Sequence, residues 1–141
     1  MTFHNRPDWA DYFMDGARWA STRGDCNRCQ VGALVVKDRR VRGSGYNGTP
    51  PGGPSCLAGD CPRCLSDAPS GSGYEDCIET HAEMNAILDA TRDNCQGADL
   101  YVTRAPCKLC MKLIHSSGID KVIYPGHYGL IHMPILRGGQ A

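Results

Sequence analysis

The sequence predicts an α/β protein in three layers (α/β/α), with a mixed central sheet flanked by helices. Three observations carry that expectation. Hydrophobic patterns of helical and strand period follow one another in the order helix, hairpin, helix, strand, helix, strand. An early hairpin makes antiparallel neighbours, whereas later strands joined through helices imply crossovers, with helices covering both faces of one sheet. Finally, 141 residues of which 41% are hydrophobic suffice for one core, so residues 1–141 read as a single domain without repeats or a linker.

Each element has its own signal. From about Pro7 to Thr22, Trp9, Tyr12, Phe13, Gly16, Ala17 and Ala20 recur at helical spacing, and Pro7 suits a first turn because no helical bond is lost there. Val31 to Val36 is a short apolar run, read as a buried strand; Asp38-Arg39-Arg40 turns the chain, and Val41 to Tyr46 returns as its hairpin partner. Roughly thirty residues follow, Asn47 to Glu79, rich in Gly, Pro, Ser and Cys. A loop of that length inside a compact domain needs something to hold it, and four of the nine cysteines lie in it. A second helix is expected from His81 to about Arg92, with Met84, Ile87, Leu88 and Thr91 on one stripe. Ala98 to Thr103 reads as a third strand, Pro106 opens a third helix that Gly118 ends, and Lys121 to Tyr124 reads as a fourth strand. Beyond Pro125 the tail is short and Gly-rich, and its pattern assigns no element.

Composition excludes several functions. Fifteen Lys+Arg balance fifteen Asp+Glu, so a grip on polynucleotide phosphates by charge is not expected, although a small ligand with one phosphate fits. No apolar run approaches a membrane span, and Met-Thr-Phe-His-Asn-Arg-Pro at the amino terminus has no apolar signal core. A cytoplasmic protein without membrane or nucleic-acid partners is the expectation. Nine cysteines in a reducing compartment then point to metal thiolates, and Cys26/Cys29, Cys61/Cys64 and Cys107/Cys110 are all C-x-x-C pairs.

The chemistry concentrates in His81-Ala82-Glu83 and Pro106-Cys107-Lys108-Leu109-Cys110, each at an expected helix start. His-x-Glu followed by Pro-Cys-x-x-Cys is the pattern of the zinc-dependent nucleobase deaminases. One imidazole and two thiolates make three zinc ligands, as a catalytic rather than structural site requires, and helix N-termini favour thiolates. Glu83 suits a proton shuttle rather than a ligand. Residues two apart on a helix point about 200° away from each other, so His81 and Glu83 share a site only if His81 lies at or outside the helix end.

Together with Trp9-Ala-Asp-Tyr-Phe-Met, Cys26-Asn-Arg-Cys-Gln-Val-Gly-Ala, Gly45-Tyr-Asn-Gly-Thr-Pro, Met84-Asn85 beside the His-Ala-Glu, Tyr101-Val-Thr-Arg-Ala-Pro-Cys-Lys-Leu-Cys and Gly118-Ile-Asp-Lys-Val-Ile-Tyr, these segments resemble the deoxycytidylate (dCMP) deaminases of the cytidine deaminase-like superfamily. The likeness runs from about residue 7 to 128. It implies hydrolysis of dCMP to dUMP and ammonia, with Zn2+ on His81, Cys107 and Cys110 activating water against C4 of cytosine and Glu83 moving protons. It also implies that Asn47 contacts the deoxyribose hydroxyl, Arg28 the 5′-phosphate, and Tyr128 the pocket wall. The arginine expected beside that tyrosine is Gly129 here. A second, structural zinc in the family corresponds to Cys26, Cys56, Cys61 and Cys77, with Cys64 able to replace Cys61. Cys29 and Cys95 are left over as ordinary thiols, and His4, His115, His127 and His132 as surface or packing histidines. Relatives assemble into homo-oligomers, so a homo-oligomer is expected. Two rivals stand beside this reading: a tRNA adenosine or other polynucleotide deaminase, which needs a basic face such as Arg39, Arg40 and Arg42 could begin, and a zinc-ribbon interaction module, in which Glu83 has no role.

Overall fold

The computed structural model describes residues 5–137, so His4 lies outside the described residues. Eight regular elements follow in the order α1 (Trp9–Ser21), β1 (Gly32–Lys37), β2 (Arg40–Tyr46), α2 (Ala82–Cys95), β3 (Asp99–Val102), α3 (Lys108–Ser117), β4 (Lys121–Gly126) and β5 (Gly129–Pro134), with a single 3-10 turn at Tyr74–Asp76 in the long loop. The sheet runs β2-β1-β3-β4-β5. Only β3 and β4, joined through α3, are parallel; β2/β1, β1/β3 and β4/β5 are antiparallel, which makes the sheet mixed.

β1 explains the layering. Side chains alternate faces along a strand, and every residue from Gly32 to Val36 is buried. Leu34 and Val36 pack with Phe13, Met14 and Ala17 of α1, joined by Tyr101 and Ile123. Ala33 and Val35 point the other way, into a core built from α2 and α3 with Leu100, Val102 and Val122. The hairpin between β1 and β2 turns on Asp38 and Arg39 alone, both with positive φ (55° and 58°), as a two-residue turn matched to strand twist requires.

Local boundaries differ from expectation in four places. α1 starts at Trp9 because the Asp8 side chain accepts from the Asp11 N–H at 2.8 Å as its cap, leaving Pro7 outside the helix. α3 likewise starts at Lys108, with Cys107 as the capping residue and Pro106 before it. α2 extends to Cys95 across a break at Thr91 (φ 71°), and it buries only half of the stripe read from the sequence: Ile87 is buried and Met84 packs against the core, but Thr91 is exposed and Leu88 is 71% exposed, while Ala82, Ala86 and Ala90 join Ile87 in the core. The physical reason lies in β2. A Cβ on Gly43 would stand 2.5 Å from the Ala86 oxygen and the Ala90 nitrogen, so helix and strand backbones touch and only alanines fit between them. The fourth difference is β5, which pairs antiparallel with β4 along its length. As an edge strand with mostly exposed or half-exposed side chains, it carries little hydrophobic alternation.

Candidate active site

Two helix starts meet at one end of the sheet. A backbone bridge between Gly48 and Thr80 (N–H to O distances of 3.1 and 2.8 Å) ties the end of β2 to the residues before α2. His81 follows in extended conformation (φ −68°, ψ 155°), so it caps α2 rather than belonging to it. That turn lets His81 and Glu83, two residues apart, face the same space. From the other side, β3 delivers Cys107 as the extended cap of α3 and Cys110 inside its first turn. The His81 Nδ1 lies 3.3 Å from the Cys110 Sγ and 3.5 Å from the Cys107 Sγ, and the three atoms all fall within 4.8 Å of one another.

The electrostatics suit a cation. Burial, reinforced by Arg63 and Arg104, pushes the His81 pKa down and favours a neutral imidazole with a lone pair to give. Burial, then the neighbouring Glu83 and Cys107, drives the Cys110 thiol far up. Burial likewise raises Glu83, which is 5% exposed. One nitrogen and two sulfurs are a borderline-soft donor set that matches zinc, with the Glu83 carboxyl beside it.

The cavity in front of these groups has a volume of about 250 Å³. Three arginines line it, only one of which the sequence reading had singled out. Arg28 does not present a free guanidinium to the cavity. It donates to the carbonyls of Ala68 (2.5 Å), Ser66 (2.9 Å) and Arg63 (3.1 Å), which makes it an anchor for the long loop. Arg63 is 5% exposed, donates to the Ser72 and Pro69 carbonyls and lies 4.5 Å over the Tyr74 ring, which in turn meets the His81 ring edge-on at 4.8 Å. Arg104, between β3 and Cys107, is exposed and gives a hydrogen bond to the Ser70 hydroxyl at 2.8 Å. Asn47 also lines the cavity; its side-chain oxygen accepts from the Val31 N–H and its nitrogen donates to the Cys29 carbonyl, both at 2.8 Å. Tyr128 is elsewhere: it is 98% exposed in the β4–β5 turn and does not line the cavity.

Glu79 is the residue that sequence reasoning missed most plainly. It lines the cavity two residues before His81, 8% exposed, and neither carboxyl oxygen has a hydrogen-bond partner. Burial and the neighbouring Asp25 raise its pKa to about 7. Its position two before His81 in an extended segment, where alternate side chains share a face, was the available signal.

Five thiols gather beside the cavity, and Cys26 and Cys77 among them also line it. Cys26, Cys56 and Cys64 have sulfurs within 4.8 Å of one another, so Cys64, rather than Cys61, completes that trio. Cys61 and Cys77 sit beside it with their sulfurs 3.9 Å apart. Burial lifts Cys64 to about 12 and Cys77 to about 11; at Cys61 burial is outweighed by backbone donors at Ile78 and Cys64, which bring it to about 7. All nine cysteines are free. Cys29 lines the cavity and Cys95 is in the core. In the basic hairpin, Arg42 pairs with Asp38 at 3.8 Å and Arg39 stacks over Trp9, which leaves Arg40 as an exposed cation there. No helix among the described residues is long and apolar enough to cross a membrane.

Comparison with known proteins agrees with this geometry. A deoxycytidylate deaminase of Mycobacterium phage D29 is 52% identical over 126 residues, covering 86% of this chain and 97% of the phage protein. The deoxycytidylate deaminase of Schizosaccharomyces pombe is 40% identical over 126 residues, covering 89% of this chain but 39% of the yeast protein. Among solved structures, the dCMP deaminase of cyanophage S-TIM5 in complex with dCMP and dUMP superposes with a TM-score of 0.64 at 29% identity, covering 86% of this chain and 84% of that one. Cytidine deaminase from Mycobacterium tuberculosis shares the fold, with a TM-score of 0.53 at 14% identity. The model for the cytidine and deoxycytidylate deaminase zinc-binding region matches residues 7–125, and this chain belongs to that family.

Proposed function

We propose that the chain hydrolyses dCMP to dUMP and ammonia, with His81, Cys107 and Cys110 holding a zinc ion and Glu83 moving protons. One observation carries this reading: a nitrogen and two sulfurs from two helix starts converge within 4.8 Å, with a nearly buried carboxyl group from the same helix start beside them. A zinc ion held there supplies Lewis acidity and makes water nucleophilic near neutral pH. Glu83 is placed to take up a proton as water attacks and to hand protons to the cytosine N3 and the departing amine, and burial, by raising its pKa, strengthens it as the base. Tyr74 and Arg63 form the cavity wall beside His81.

The nucleotide class rests on the phage relative and on the cyanophage enzyme solved with dCMP and dUMP. Asn47 keeps a second amide hydrogen and a second lone pair toward the deoxyribose hydroxyl. Tyr128, projecting into solvent, would act only in the pocket of a second copy of the chain. Four of the five clustered cysteines, with Cys64 among them, hold a second, structural zinc that offsets the entropy of ordering the long loop.

The test is ammonia release from dCMP, deoxycytidine and dCTP by zinc-loaded protein, with Glu83→Gln alongside. Turnover of dCMP that Glu83→Gln abolishes while zinc is retained supports the reading. Absence of turnover on all three substrates, or full activity in the variant, refutes it.

A further inference from the structure

We propose that Arg104, with the Ser70 hydroxyl beside it, takes the 5′-phosphate of the substrate and so decides between nucleotide and nucleoside; this rests on the deaminase reading above. The argument is one of available donors. A guanidinium has five N–H groups. Arg28 places its guanidinium on three loop carbonyls, and Arg63 places its own on two carbonyls and the face of Tyr74. Arg104 gives a single hydrogen bond, to a neutral hydroxyl. None of the three arginines forms an ion pair among the described residues. Of the three arginines on this cavity wall, Arg104 therefore commits the fewest donors and keeps the most open to an anion.

Position supports the same assignment. Arg104 stands three residues before Cys107, on the connection from β3 to α3, and its charge is felt at both His81 and Glu83. It is exposed, so its guanidinium keeps its reach while it waits for a partner. Ser70 Oγ accepts from Arg104, which leaves its own hydrogen free for a phosphate oxygen. A planar fork plus a hydroxyl donor is a fitting cradle for a dianionic phosphate. Because Ser70 belongs to the long loop, a phosphate held by both residues also ties that loop to the β3–α3 connection.

The experiment measures binding of dUMP and of deoxyuridine to zinc-loaded protein by calorimetry, in wild type, Arg104→Ala, Arg104→Lys, Ser70→Ala and Arg28→Ala. Arg104→Ala is expected to weaken dUMP about 10- to 100-fold, the size of charge-assisted hydrogen bonds, while moving deoxyuridine less than about threefold on the same scale. Arg104→Lys should recover part of the loss, because it keeps the charge and loses the fork. Equal weakening of both ligands by Arg104→Ala overturns the proposal. So does a dUMP-selective loss in Arg28→Ala with Arg104→Ala unaffected, and so does a wild type that binds dUMP no better than deoxyuridine. A wild type that binds dUMP selectively through Arg104 yet releases no ammonia from dCMP would sink the deaminase reading instead.

Discussion

Adding a single methyl group at Gly45 tests how the sheet positions the metal ligands. A Cβ there would stand 2.5 Å from the Ala86 nitrogen and 2.9 Å from the Asn85 carbonyl carbon, and against the Ala82 carbonyl oxygen. These are all backbone atoms of α2, so no side chain can rotate away. Restoring an ordinary 3.4 Å contact to all three atoms requires the helix to retreat by about 1 Å. Overpacking of this kind costs about 1–3 kcal/mol, which for a chain of this size lowers Tm by roughly 3–12 °C. The larger effect falls on chemistry, because His81 immediately precedes α2 and its ring must stay 3.3–3.5 Å from the two cysteine sulfurs. A displacement near 1 Å costs on the order of 10²-fold in rate. Gly45→Ala should therefore lower Tm moderately, weaken zinc retention against a chelator, and lose most of its dCMP turnover. A variant with unchanged melting, full zinc and wild-type turnover would show that α2 does not set the ligand geometry through this contact.

Other perturbations separate roles that lie close together. Glu83→Gln should lower turnover by about 10² to 10⁴-fold, the range for general acid–base catalysis, with zinc content by atomic emission unchanged. Cys64→Ser should reduce zinc from two ions per chain to one and expose the long loop to limited proteolysis, while the ion at His81 stays; retention of both ions would remove Cys64 from the structural site. Arg28→Ala leaves the Arg63, Ser66 and Ala68 carbonyls without their donor. It should accelerate proteolysis of the same loop and raise KM for dCMP and deoxycytidine by similar factors. Asn47→Ala strips partners from the Val31 N–H and the Cys29 carbonyl, a loss of about 1–3 kcal/mol in thermal or urea unfolding.

Much of the site was legible before any coordinates because its information is local. Cys107 and Cys110 lie within one helix start, and His81 and Glu83 within another, so each pair's placement depends on a cap and a turn rather than on distant packing. The geometric constraint that residues two apart cannot share a helical face put His81 at or outside the end of α2, and it is found as the capping residue. The long loop behaved differently. Nothing in the spacing of its cysteines distinguishes Cys61 from Cys64, because the sulfurs are sorted by how the loop folds back on Cys26. Arg28 looked like a free cation in the sequence and is an anchor in the fold, since the carbonyls it holds belong to residues 35 to 40 positions away. Likewise Tyr128 is carried into solvent by the β4–β5 hairpin, an element that the exposed, weakly alternating tail did not announce.

By itself, then, the chain's order of residues determined the α/β class, the metal-binding motif and the family, because hydrophobic period, helix capping and short ligand spacings are properties of neighbouring residues. Only the tertiary structure decided which of three cavity arginines keeps most of its donors, which thiols meet, and that the Glu79 carboxyl, near Asp25, lines the cavity without a hydrogen-bond partner. Those outcomes depend on where distant carbonyls and sulfurs come to rest, and hydrogen bonds only a few ångströms long depend on the whole path of the backbone.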